Sequence, residues 1–269
     1  MTRQAFCAHL GANGRPGNRL LAGLPDADYR RLLSDLRTSS VERNQVVQYG
    51  GEPIRHVYFP NGGVFSVTAV LPDGATIEAA SVGDEGMLGV EAFFGNAGIA
   101  PGHTIIEVPD GTMTRLDVRV FQRELQAGGA LQGLVGMYVP FFLAQTMHVA
   151  ACNALHHIQQ RVARWLLMAQ ERAGQGPELR VSHEFLSTML GARRPTISVA
   201  AATLQRAGAI SYSHGRVTVR DRNGLEAAAC PCYGVMRAQL KKLRRDIDER
   251  GQVLAGFDGL EARPRRVAV

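Results

Sequence analysis

The 269-residue sequence predicts an α+β fold: an antiparallel β jelly roll, then a long helix, then a winged helix-turn-helix. Three patterns carry that prediction. Between residues 41 and 116, short β-prone runs alternate with turns rich in glycine and proline. From 117 to 155 the apolar spacing changes to the three-and-four steps of a helix. From 181 to 220, two short helical patterns separated by a glycine stop lead into a tight β-hairpin.

Residues 1–20 carry Gly, Asn, Pro and Arg without periodicity and are expected to form a flexible arm. A short helix follows within 21–36, capped near Asp26. Strands are expected at 45–49, 56–59, 63–71, 75–82, 104–108 and 113–116, with L-P-D-G at 71–74 as a hairpin turn. Evenly spaced strands of this kind suit a jelly roll, so 21–127 reads as a barrel domain.

In the long helix, 128–155, Leu134, Tyr138, Phe141, Gln145, His148, Cys152 and Leu155 follow at steps of four and three. That spacing is a coiled-coil seam and predicts a homodimer. A second apolar row, Leu131, Val135, Phe142 and Val149, would face the barrel. Pro140 leaves the Gly136 carbonyl without its donor, which predicts a kink. Residues 156–235 then hold a further helix, 158–173, and the winged helix-turn-helix. Residues 236–269 read as a charged helix, 237–250, with a mobile last nineteen residues.

The helix-turn-helix is the most informative stretch. Ser182 suits an N-cap, Leu186, Met189 and Leu190 share a face, and Gly191 stops the first helix. Pro195 restarts the chain, and Ile197, Ala200, Ala201 and Leu204 form the second buried stripe. S-H-G-R at 213–216, between two β-prone runs, reads as the wing. Charge follows the motif: residues 156–250 hold sixteen Lys+Arg against eight Asp+Glu, whereas 1–155 hold eleven against fourteen. A basic surface on the half that carries the motif is what phosphate contact requires, so double-stranded DNA is the expected partner. Arg194 is the expected base reader, Thr196 and Ser198 suit phosphate or base, and Arg193, His214 and Arg216 suit the backbone.

The rest of the composition narrows the class. No uninterrupted run of about twenty apolar residues occurs, so no membrane span is expected. No secretory signal is recognisable, and a cytoplasmic location is expected. Cys7, Cys152, Cys230 and Cys232 are too few and scattered for a disulfide framework, and Cys152 reads as a small apolar residue in the helix seam. His148, His156 and His157 do not make a joint ligand set, because adjacent helical residues point to different faces. No metal or other cofactor is therefore expected. An enzyme of the jelly-roll oxygenase type would need two histidines and a carboxylate converging, and the barrel offers only His56 and His103. The remaining alternative is a ligand- or partner-binding module without a DNA role, against which Arg193, Arg194 and Arg216 argue.

The order of parts resembles the Crp/Fnr superfamily of bacterial transcription regulators. The residues that carry the resemblance are G-D-E-G at 83–86, R-V-A-R-W-L-L at 161–167, S-H-E-F-L-S-T-M-L-G-A-R-R-P-T-I-S at 182–198 and G-A-I-S-Y-S-H-G-R-V-T-V at 208–219. It implies a cyclic-nucleotide-binding-like barrel, a homodimer on a near-palindromic operator, signal input through the barrel and, for an activator, contact with RNA polymerase. It places the effector pocket at Asp84, Glu85 and His103. The departures matter as much. Cyclic-nucleotide binders follow their acidic pair with an arginine for the phosphate, whereas P-G-H-T at 101–104 has none, so cyclic AMP is not expected to bind tightly. The oxygen sensors use clustered N-terminal cysteines, of which only Cys7 is present. In the recognition helix, Pro195 and Val199 stand where the family has glutamate and a second arginine.

Overall fold

The structure, a computed structural model, describes residues 15–95, 98–109, 111–173 and 178–261, with side chains described as far as residue 253. Cys7, most of the expected N-terminal arm and the last eight residues lie outside the described residues.

The chain opens on two short helices, α1 (Arg19–Ala22) and α2 (Asp26–Leu32). Seven strands follow: β1 (Arg37–Ser40), β2 (Val46–Gln48), β3 (His56–Pro60), β4 (Val64–Val70), β5 (Thr76–Val82), β6 (Thr104–Val108) and β7 (Thr112–Asp117). They form two antiparallel sheets, ordered β1-β7-β3 and β2-β6-β4-β5. The hairpin at 71–74 closes as expected: the Leu71 amide donates to Ala75 at 2.8 Å, and Gly74 takes φ +83°. β1 was not anticipated, because R-T-S-S lacks the alternation by which a strand is recognised.

The N-terminal segment is not a free arm from residue 15 onward. Asn18 is fully buried and its side-chain oxygen accepts from the Leu20 and Leu21 amides, capping α1. Its amide donates to the carbonyls of Pro60 at 2.9 Å and Gly86 at 2.8 Å, so one side chain ties α1 to two barrel loops.

The helical stretch after the barrel is two helices, α3 (Val118–Gln126) and α4 (Ala130–Leu155), broken where Gly128 adopts φ +73°. α4 runs through Pro140 without interruption. Its expected dimer seam is corrected: Leu134, Tyr138, Phe141, Gln145 and Cys152 are buried inside the single chain, and His148 is half-buried. The physical reason lies in the polar members of that row. The Tyr138 hydroxyl donates to the Met87 carbonyl at 3.1 Å, and Gln145 donates to Ser81 at 3.0 Å. Tyr138 lies over Gly86, where any Cβ would sit 2.3 Å from the ring; this accounts for the last glycine of G-D-E-G. The outward face of α4 is instead Pro140, Leu143, Met147, Ala150, Ala151, Ala154 and Leu155, with Leu143 59%, Met147 65% and Leu155 78% exposed. Of the expected seam only Leu155 belongs to it. By length and composition α4 is also apolar enough to cross a membrane, with a mean hydropathy of 1.4 and 28% of that window buried within the chain. That revises the expectation that no stretch qualifies.

Beyond α4 come α5 (Ile158–Ala173), β8 (Glu178–Arg180), α6 (His183–Leu190), α7 (Arg194–Arg206), β9 (Ile210–Ser213), β10 (Arg216–Val219), α8 (Arg222–Ala228) and α9 (Cys232–Glu261). β8 adds a third strand to the wing, in the order β8-β10-β9. α9 contains the charged helix expected at 237–250 and is longer at both ends. It continues to Glu261, and Tyr233, Met236, Leu240, Leu243 and Ile247 form a buried stripe with which it packs across α4 and α1.

The winged helix is docked on the barrel of its own chain. Trp165 of α5 donates its indole N–H to Glu78 of β5 at 3.1 Å, and the Ser66 hydroxyl donates to the same carboxylate. Beside them Glu107 of β6 is buried, and burial first, then the Glu78 charge, raises its carboxyl well above the usual 4.5. An acid whose folded pKa is raised binds more protons folded than unfolded, so stability falls as pH rises above 4.5, by up to ~1.4 kcal/mol per pH unit. Glu107→Gln removes that slope. Its stability advantage over wild type, from urea titrations, is expected to be near zero at about pH 4 and to widen toward pH 7; a gap independent of pH would refute this.

Candidate nucleic-acid interface

The helix-turn-helix forms as its residues dictate. The Ser182 hydroxyl accepts from the Phe185 amide at 3.0 Å, and Gly191 turns the chain at φ +56°. A Cβ at Gly191 would stand 2.6 Å from Ile77, so the turn is pressed against β5 as well. Pro195 occupies the first turn of α7, and Ile197, Ala200, Ala201 and Leu204 are buried beneath it. The wing tip takes positive φ at His214, +49°, and Gly215, +73°, the pattern of a type I′ hairpin.

Arg193, Arg194 and Thr196 are exposed at the start of α7, and His214 and Arg216 are exposed on the wing. Ser198 is different. It is half-buried, donates to the Arg194 carbonyl at 3.1 Å and meets the His183 Nδ1 at 2.9 Å. Burial and then Arg194 lower the His183 pKa, so that imidazole is held neutral against the serine. Ser198 therefore serves the packing of α6 on α7 before it serves any ligand. Arg194 lies 3.8 Å from Glu184 and Arg216 lies 3.0 Å from Glu178, both as exposed pairs that water screens. Val199, noted in the sequence only as a departure from the family pattern, is 66% exposed on α7. An aliphatic residue on an outer face has no core to fill.

The acidic pair at which the resemblance implied an effector pocket is engaged within the chain. Asp84 and Glu85 are occupied by arginines of their own chain. Arg172, from α5, meets Glu85 at 2.8 Å with both side chains fully buried. Arg244, from α9, meets Asp84 at 2.7 Å, and Arg19 meets it at 3.2 Å. Burial works against the Glu85 charge, but Arg172 and Arg244 outweigh it and hold that carboxyl below its usual range. Asp84 goes the other way, raised by burial and by Glu85 against the pull of Arg244 and Arg19. His103 is not brought to this pair; its Nδ1 accepts from the Gly50 amide at 2.9 Å, and its ring meets Tyr49. The cavity in the barrel, lined by Val67, Leu88, Glu91 and Gly102, measures about 10 Å³. Small-molecule pockets run to ~300 Å³ and above, far larger than this cavity. The cysteines, expected to be scattered, converge: Cys152, His156, Cys230 and Cys232 place their ligand atoms within 4.8 Å of one another.

Comparison with known proteins agrees with this geometry. Residues 160–228 match the family model of the Crp-like helix-turn-helix domain. The transcriptional regulator LdrP of Thermus thermophilus is 28% identical over 196 residues, which span 70% of this chain and 94% of that protein. The crystal structure of a CRP-family transcriptional regulator from the same organism is 26% identical, with a TM-score of 0.58 over 72% of this chain and 96% of the other. The c-di-GMP-responsive global regulator CLP of Xanthomonas campestris shares the fold at a TM-score of 0.60 and 19% identity, over 73% of this chain and all of the other. With its barrel, its long helix and its Crp-like helix-turn-helix domain at residues 160–228, the chain is similar to transcription regulators of the Crp/Fnr superfamily.

Proposed function

We propose that the protein regulates transcription as a homodimer on a near-palindromic operator, one α7 helix entering each of two successive major grooves. The observation that carries this reading is the exposed row at the start of α7, Arg193, Arg194 and Thr196, flanked by a basic wing. The outward face of α4 supports the dimer. Pro140, Leu143, Met147, Ala150 and Ala154 repeat at steps of three and four, and the alanines let a second helix approach closely. Two such chains place their recognition helices about 34 Å apart. Within a half-site Arg194 grips a guanine, Val199 lies against a thymine methyl group, and Arg216 exchanges Glu178 for phosphate. Where the protein activates, RNA polymerase is the further partner. The signal enters through the barrel and reaches the winged helix along Glu85–Arg172 and Glu78–Trp165, without a nucleotide in the 10 Å³ cavity.

Binding selections on randomised duplexes at two salt concentrations test the readout. Arg194→Ala should cost about 1–3 kcal/mol and relax preference at one base pair of each half-site. Arg216→Ala should weaken all sequences alike and flatten the salt dependence. An unchanged preferred site in Arg194→Ala, with an altered one in Arg216→Ala, reverses the two roles and defeats the reading.

A further inference from the structure

We infer that Cys152, His156, Cys230 and Cys232 form a closed tetrahedral site for one divalent metal ion of the zinc class, placed where the long helix meets the DNA-binding domain. Cys152 lies in the last turn of α4 and His156 follows it by four residues. His156 is the C-cap, where the backbone turns extended at φ −109° and ψ 144° and frees the ring from the helix. Cys230 and Cys232 bracket Pro231 in the connection from α8 into α9. Two segments 74 or more residues apart in sequence thus bring three thiols and an imidazole to one point.

The distances fit one ion. Zinc takes sulfur at ~2.3 Å and imidazole nitrogen at ~2.0–2.1 Å, so tetrahedral angles put its ligand atoms ~3.8 Å apart for two sulfurs and ~3.6 Å for sulfur and nitrogen. Here the Cys152 and Cys230 sulfurs are 3.4 Å apart, and the Cys232 sulfur is 3.6 Å from the His156 Nδ1. A four-iron cluster holds each ligand on a different iron, and a two-iron cluster divides four ligands between two irons, so both need a wider set than one confined to 4.8 Å. Four protein ligands leave no open position, and Cys152 and Cys230 are buried, which marks a structural centre rather than a catalytic one.

A second observation points the same way. Arg161 and Arg164 of α5 are buried, and among the described residues neither meets a carboxylate. Arg161 donates to Asn153 and to the Leu190 carbonyl; the nearest partner of the Arg164 Nη1 is the Met236 sulfur, at 3.9 Å. A buried cation without an anion is costly. Three thiolates around a doubly charged ion leave one net negative charge, and that charge would compensate the neighbouring arginines. The ion would fasten the end of α4 to the α8–α9 connection, so the helix proposed to join two chains and the domain that reads DNA share one fixed joint.

Elemental analysis of full-length protein, purified under reducing conditions without chelator, should find about one zinc per chain. Stripped protein titrated with Co²⁺ should develop thiolate-to-cobalt charge-transfer bands and the visible bands of a tetrahedral ion. Cys152→Ser and Cys230→Ser should each weaken Co²⁺ binding by more than the ~10–100-fold that loss of an outer-shell partner costs. His156→Cys should keep the ion and shift the bands, while Cys7→Ser should change nothing. Thiol labelling of native wild type serves where a variant misfolds: bound metal should protect Cys152, Cys230 and Cys232, and stripping it should expose them to the label. Metal-free protein that gives no tetrahedral spectrum with Co²⁺, or a Cys152–Cys230 disulfide in freshly reduced material, overturns the assignment.

Discussion

Arg172→Met is expected to destabilise the chain by about 3–5 kcal/mol, the cost of leaving a buried charge without its partner. Glu85 is fully buried, and Arg172 approaches it at 2.8 Å while its other arm donates to Gln145 at 2.8 Å. Methionine fills the space of the side chain's stem but offers no charge. Arg244 remains, at 3.4 Å from Glu85, and it is already engaged by Asp84. The sign of the pH dependence follows from Glu85. In wild type its carboxyl is held below 4.5, so the pair's stabilisation is present above that value and is lost only as pH falls through the lower folded value. In Arg172→Met the arginine no longer opposes burial, and the Glu85 carboxyl rises. The deficit should therefore be largest near neutral pH and shrink in acid as Glu85 takes a proton. Adding Glu85→Gln should recover most of the loss, since both partners are then uncharged. Urea titrations of the two single variants and the double variant measure this cycle. A loss below about 1 kcal/mol in Arg172→Met would mean that Arg244 alone satisfies Glu85, and the lock between barrel and winged helix would not depend on Arg172.

How far the sequence revealed this arrangement depended on the range of the interaction. The winged helix was legible because its determinants are local: Ser182 caps, Gly191 turns, Pro195 restarts, and His214 and Gly215 set the hairpin. The barrel strands were legible through alternation and turns, except for β1, whose R-T-S-S has neither. What failed were inferences about which face of an element meets what. Two apolar rows run along α4, and spacing alone gave no reason to prefer one as the outer seam. Tyr138 and Gln145 held the answer, since polar groups in an apolar row need partners, and Met87 and Ser81 supply them. The acidic pair failed for a related reason. Asp84 and Glu85 read as ligand-binding because their countercharges, Arg172 and Arg244, lie 87 and 160 residues away. Cys152 and Cys230 are likewise 78 residues apart, a convergence that no motif spacing signals.

Met147→Glu is expected to leave the fold intact and to abolish tight operator binding. Met147 is 65% exposed on the outward face of α4, so glutamate there remains solvated in a single chain and costs little stability. In a dimer joined along Pro140, Leu143, Met147 and Ala150, the same change buries two like charges against each other across the seam. The expected product is a folded monomer by sedimentation at micromolar concentration. A monomer engages one half-site at a time, which forfeits the ~10²–10⁴-fold gain of linking two recognition helices. Phe141→Asp provides the contrast. Phe141 lies among the buried residues of α4, so a charge there should lower the stability of the chain itself rather than separate two folded chains. Circular dichroism, sedimentation and operator titration on both variants distinguish the two faces. If Met147→Glu sediments as wild type does while Phe141→Asp yields a folded monomer, the outward row is not the dimer contact and the buried row must open to meet a partner.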